Sequence, residues 1–122
     1  MAKTIMIVDD SASIRQVVSI ALKSAGYDVL EACDGKDALS KLTGQKINLI
    51  ITDVNMPNMD GITFVTEAKK LAAYKFTPMM MLTTEAADDK KQAGKAAGAK
   101  AWLTKPFQAP TLLDAVSKLV LP

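Results

Sequence analysis

The sequence predicts an α/β fold, a doubly wound sheet of five parallel strands covered by five helices, and three observations carry that prediction. Short apolar runs recur along the chain, amphipathic stretches of helical period fill the gaps between them, and strand and helix alternate five times within 122 residues. Parallel neighbours need right-handed crossovers, and those crossovers lay helices on both faces of the sheet.

Five runs are too short for helices and read as strands: Ile5-Met6-Ile7-Val8, Val29-Leu30, Leu49-Ile50-Ile51, Met79-Met80-Met81-Leu82 and Ala101-Trp102-Leu103. Between the first two, Ile14, Val17, Val18, Ala21, Leu22 and Ala25 repeat at the spacing of one helical face, and Gly26 supplies a stop. Helices are also expected over Gly35 to Leu42, Gly61 to Leu71 and Asp88 to about Ala97, the last weakened by Gly94 in its interior. Leu112, Leu113, Val116, Leu119 and Val120 repeat the helical pattern after Pro110, whose fixed φ suits a first turn. Met79 to Met81 reads as strand core, and Lys69-Lys70 and Lys90-Lys91 as solvated helix faces.

Bulk properties bound the function. A chain that is 49% hydrophobic can bury a core of its own, so residues 1–122 are read as one domain. Fifteen basic and thirteen acidic residues leave a formal charge of +2 with no long basic block, which argues against direct nucleic-acid binding. The apolar start of MAKTIMIVDD is too short for a secretory signal and no run is long enough to cross a bilayer, so a soluble cytoplasmic protein without membrane insertion is expected. Cys33 stands alone, cannot close an intrachain disulfide and is read as inert packing. The absence of histidine removes Ser-His and Cys-His nucleophile pairs, His-bearing zinc sites and any phosphohistidine on this chain.

In doubly wound sheets ligands sit beyond the carboxyl ends of the strands. Asp9 and Asp10 follow the first run, Asp53 the third, Thr83 the fourth and Lys105 the fifth, so the predicted fold gathers them at one edge. Any one of them alone has an ordinary reading: strand-end aspartates cap helices, a strand-end threonine is commonplace and a lysine is often a solvated charge. Together they make an oxygen-rich cluster whose mutual repulsion calls for a hard divalent cation. Mg2+ suits it, with Mn2+ as a substitute; Asp10 and Asp53 are assigned as direct ligands and Asp9 as a water-mediated one. Lys105 would pair with an incoming phosphoryl dianion.

These residues resemble the receiver domains of two-component response regulators, and the resemblance runs from Lys3 to the final helix. Asp53-Val54-Asn55-Met56-Pro57-Asn58-Met59-Asp60-Gly61 is similar to the family's phosphoacceptor loop, and Lys105-Pro106-Phe107 to its lysine-proline signature. The resemblance implies a flavodoxin-like strand order 2-1-3-4-5, an expectation that rests on the family likeness alone. It also implies that Asp53 is the nucleophile, that the backbone carbonyl of Asn55 joins the metal shell, that Thr83 binds the phosphoryl oxygens and that the Lys105-Pro106 peptide is cis. Asn55 and Glu85 would tune hydrolysis of the acyl phosphate. Trp102 occupies the family's switch position, where tyrosine or phenylalanine is more usual, and strand alternation sets it beside Lys100 and Thr104 on a partly exposed face. Thr84 stands where a small residue is usual, and its bulk would hinder small phosphodonors.

The nearest subgroup in pattern is the stand-alone chemotaxis regulator. The expected partners are a chemotaxis-type sensor histidine kinase, the flagellar motor switch and a phosphatase, with the protein itself a monomer. With the sequence closing at Pro122 after the last helix, output by binding, not through an attached domain, is the expectation. Two other readings remain at this point: a non-motor phosphorelay intermediate or phosphate sink, and a magnesium-dependent phosphohydrolase acting through Asp53. The second meets Asn55 where such enzymes carry a second acid, and turnover of metabolites is not expected.

Overall fold

The computed structural model describes residues 3–54, 56, 58–83, 95, 97–105 and 107–120. Five strands form one parallel sheet: β1 (Thr4–Val8), β2 (Asp28–Ala32), β3 (Leu49–Asp53), β4 (Met79–Thr83) and β5 (Ala101–Thr104), in the order β2-β1-β3-β4-β5. Each strand outruns its apolar core by one to three residues, because the ladder continues through polar residues that periodicity does not count. Asp53 and Thr83, expected just after their apolar runs, are the last ladder residues of β3 and β4.

The three central strands carry continuous apolar side chains because helices cover both of their faces. Alternation then sorts them into two cores. Met6, Val8, Ile50, Met79 and Met81 face one layer with Phe64, Val65 and Ala68. Ile5, Ile7, Leu49, Ile51 and Met80 face the other with Val18, Leu22, Leu112 and Val116. A slip of one residue in any central strand would exchange the two sets, so the register is strongly specified. Met79 to Met81 are fully buried strand core, as their sequence context predicts.

Four helices are described: α1 (Ala12–Ser24), α2 (Gly35–Lys41), α3 (Gly61–Lys69) and α4 (Ala109–Leu119). Ser11, Asp34 and Asp60 cap the first three, each accepting from a backbone N–H three residues on. The last has no side-chain cap at Gln108 and starts with Pro110 in its first turn. The expected helix from Asp88 to about Ala97, including Gly94, lies outside the described residues except for Lys95 and Ala97, which are helical. Among the described residues no helix is long and apolar enough to cross a membrane.

Several local expectations change. Val17 is 57% exposed and Ala25 is also exposed, because α1 buries a narrower stripe centred on Val18 and Leu22. The helix read as reaching Leu71 ends at Lys69; a 3-10 turn over Ala72–Tyr74 follows, anchored by the buried Tyr74, whose hydroxyl donates to the Gln45 carbonyl at 2.9 Å. Lys69 is not simply solvated. Its ammonium donates to the carbonyls of Lys75 and Thr77, tying α3 to the start of β4.

The β3–α3 connection returns tightly on itself, with the Gly61 N–H donating to the Val54 carbonyl at 2.8 Å. A Cβ at Gly61 would lie 1.9 Å from the Asp53 carbonyl oxygen, a clash with backbone and not with a movable side chain. Gly61→Ala is expected to cost about 3 kcal/mol or more in urea unfolding. Gly26→Ala meets open space and only the strain of φ +94°, so about 1 kcal/mol is expected in the same measurement.

Candidate functional site

The carboxyl ends of β1, β3 and β5 deliver the charged residues that the sequence pattern singles out. Asp9 follows β1 directly and extends its ladder, its N–H donating to the Ala32 carbonyl at 3.1 Å. Ser11, not an aspartate, caps α1, which leaves the Asp9 and Asp10 carboxylates outside the capping role. The Asp9 side chain is fully buried: Oδ1 accepts from the Ser11 N–H at 2.9 Å and Oδ2 from the Lys105 Nζ at 2.7 Å. Asp10 is exposed beside it. Asp53 is 8% exposed, with Oδ1 accepting from the Val54 N–H at 2.8 Å and Oδ2 standing 3.5 Å from the Lys105 Nζ.

One carboxylate oxygen from each of Asp9, Asp10 and Asp53 lies within 4.8 Å of the others. Like charges held this close oppose ionisation unless cations compensate. Burial, and then the Asp9 charge, push the Asp53 carboxyl above its ordinary range, while Lys105 and the Val54 N–H pull it back. One ammonium among three carboxylates leaves an excess of negative charge. A hard, oxygen-seeking divalent cation fits this donor set, and the all-carboxylate ligation favours Mg2+ or Mn2+ over metals that prefer sulfur or imidazole. Both Asp9 oxygens accept short hydrogen bonds, whereas Asp53 has one short bond and a longer 3.5 Å contact to Lys105, so Asp9 is the more fully engaged of the buried pair.

The structure thus brings together Asp9, Asp10, Asp53 and Lys105. Thr83 ends β4 in register with Thr104 of β5. Asn55, Thr84, Glu85 and Pro106, and with Pro106 the proposed cis peptide, lie outside the described residues. Trp102 pairs in register with Met81 and packs as a partly buried side chain against the core that includes Phe64 and Met81. Its indole Nε1 is buried with no hydrogen-bond partner among the described residues.

Three features are not evident from the strand-end pattern. Arg15 donates through Nη1 to the Asp9 carbonyl at 2.6 Å and pairs through Nε with Glu31 at 3.3 Å, bracing the β1–α1 turn. Its only sequence signal is its place one turn after the cap. Asp34 also follows a strand, and it holds the phosphoacceptor-like loop by accepting from Asn58 Nδ2 at 2.8 Å, where Asn58 adopts φ +67°. Cys33, read as packing, is exposed at the end of β2. Local desolvation, then the Asp37 and Asp34 charges, raise its thiol pKa, which disfavours the thiolate.

Known proteins share this fold. The response regulator receiver domain family model matches residues 5–117. A solved structure of the chemotaxis protein CheY4 from Vibrio cholerae superposes with a TM-score of 0.94 at 49% identity, covering 98% of this chain and 99% of that one. Protein PilG of Pseudomonas aeruginosa is 38% identical over 112 residues, 92% of this chain and 83% of its own. The phosphate regulon transcriptional regulatory protein PhoB of the same organism is 38% identical over 121 residues, but the chain spans only 52% of its length. The sheet order, the acidic cluster facing Lys105 and these matches lead to one conclusion: the chain belongs to the response regulator receiver domain family, with a CheY-like fold.

Proposed function

We propose that the protein is a phosphorylation-activated switch of a two-component system, contained in a single receiver domain over residues 1–122, with Asp53 as the phosphoacceptor. The observation that carries this reading is the Lys105 ammonium, which reaches Asp9, 96 residues away in sequence, and Asp53 at the mouth of a three-carboxylate cluster. A purely structural salt bridge needs one acid; three acids with an excess charge are suited to a cation and then to a phosphoryl group.

In this proposal an Asp53 oxygen attacks the phosphorus of a sensor kinase's phosphohistidine. The P–N bond breaks, its electron pair leaves with the imidazole, and an aspartyl phosphate forms. Bound Mg2+, held by Asp10 and Asp53 with Asp9 through water and the Asn55 carbonyl, would supply charge neutralisation for the phosphoryl oxygens. Lys105 would exchange its contact with Asp53 for one with the phosphoryl group, Thr83 would bind a further oxygen, and Asn55 and Glu85 would set the rate of hydrolysis. Trp102, next to that edge on β5, would report the change to a target. Similarity to a chemotaxis protein over nearly the whole chain favours a chemotaxis kinase as donor and the flagellar motor switch as target, with a phosphatase to end the signal and a cytoplasmic, monomeric working state.

The labelling test is direct. With a phosphorylated donor kinase, the parent should take up acid-stable but base-labile label and Asp53→Asn none; stoichiometric labelling of the variant at an aspartate would overturn the assignment. Coupling to Trp102 is read separately. Its fluorescence should change saturably with Mg2+ and again with beryllofluoride, a non-covalent phosphoryl mimic; Lys105→Ala should keep the first change and lose the second.

The electrostatics yield a stability prediction of definite sign. Asp53 has a folded pKa raised above its unfolded value, so its ionisation opposes folding. That cost is absent below the unfolded carboxylate range, grows as pH rises through it and is complete above the raised folded value. At neutral pH with a chelator, Asp53→Asn should therefore melt higher than the parent. Added Mg2+ should raise the parent's midpoint much more than the variant's.

A further inference from the structure

All five strands begin at the edge opposite Asp53, so the residues preceding them and the carboxyl ends of the helices share one basal face. On the β4–β5 side of that face the ring of Phe76 is 79% exposed, the highest exposure of any large apolar side chain described. The Lys75 ammonium stands over it, 5.6 Å from the ring centroid. Lys69, bound to the Lys75 carbonyl, has its ammonium pKa lowered by burial and by the nearby charge of Lys100. Lys100 in turn shares the wall of a cavity of about 50 Å3 with Lys95. Exposed Lys75, Lys95 and Lys100 and the protruding aromatic ring are thus linked through the half-buried Lys69, whose ammonium is held by two carbonyls, and Leu71, two residues after Lys69, is 39% exposed. Among the described residues two acids share the edge: Asp28 on the outermost strand β2, and Glu67, already paired with Lys70 at 2.8 Å.

We propose that this basal lysine cluster, with Phe76 protruding from it, docks the protein peripherally on an anionic lipid surface, leaving the Asp53 edge free. Two features favour a bilayer over an acidic polypeptide. The cations are all lysines, point charges on flexible stems that suit a diffuse plane of headgroups, where carboxylate recognition favours the bidentate fork of arginine. They also come from the end of α3, the loop before β4, residue 95 and the residue before β5, a spread that matches a plane and not a linear peptide. An aromatic ring flanked by lysines is the arrangement that sits at the boundary of headgroups and acyl chains.

The test is flotation of the whole chain with vesicles of phosphatidylcholine alone or mixed with phosphatidylserine. Binding is expected only to the mixed vesicles and is expected to vanish near 1 M salt, where the screening length falls to about 3 Å. Phe76→Ser should weaken binding about tenfold by removing buried apolar surface. Lys75→Glu with Lys100→Glu should weaken it at least about tenfold. Phe76→Ser should keep the parent's thermal midpoint, since the ring is exposed, and Asp53→Asn should float as the parent does. Equal flotation with both vesicle types, flotation with neither, or variants that float like the parent would overturn the proposal. Retention on polyglutamate without vesicle binding would assign the face to an acidic polypeptide and overturn it equally.

Discussion

The Lys105 ammonium between two buried carboxylates is the interaction on which the upper edge of this fold depends. Asp9 is wholly inaccessible, and a buried carboxylate without a partner costs several kcal/mol. The cation that satisfies it comes from beyond β5, so the ends of β1, β3 and β5 are electrostatically tied even though β5 is an edge strand. The pairing is incomplete in charge: three carboxylates and one ammonium leave the site short of positive charge, and burial followed by the Asp9 charge raises the Asp53 pKa. A site with unmet charge, open at Asp10, is suited to binding a cation and an anion together.

The backbone around that site is constrained as tightly as its charges. Gly61 passes so close to the Asp53 carbonyl that no side chain fits, Asn58 takes a left-handed conformation, and Asp34 holds Asn58 from the turn between β2 and α2. Arg15 ties the Asp9 carbonyl to Glu31 on β2. Each of these contacts spends local conformational freedom to hold the carboxylates in place, which is what the proposed phosphoryl transfer would require of the site. Away from the edge, the two apolar cores carry the stability, and their alternation pattern keeps the strands in register so that the charged ends line up.

Polarity runs through the molecule from end to end. Parallel strands put all their carboxyl ends, with the acids, on one edge and all their amino ends, with several lysines, on the other. The near-neutral net charge conceals this separation, because formal charge sums over the chain and carries no position.

By itself the sequence determined the alternation of elements, the parallel sheet and the residues at its carboxyl edge, because strand ends and apolar periods are local properties written in consecutive residues. Asp9, Asp10, Asp53 and Lys105 could be picked out in this way, and the strand order came from resemblance to a family. Only the tertiary structure decided which polar contacts serve the site. Whether Asp9 caps a helix or meets Lys105, whether Val17 belongs to the buried stripe of α1, whether Cys33 packs or faces solvent, and that Lys69 ties α3 to β4 all depend on neighbours brought close by folding. Such contacts are set by how the elements pack in three dimensions, and periodicity along the chain carries no record of them.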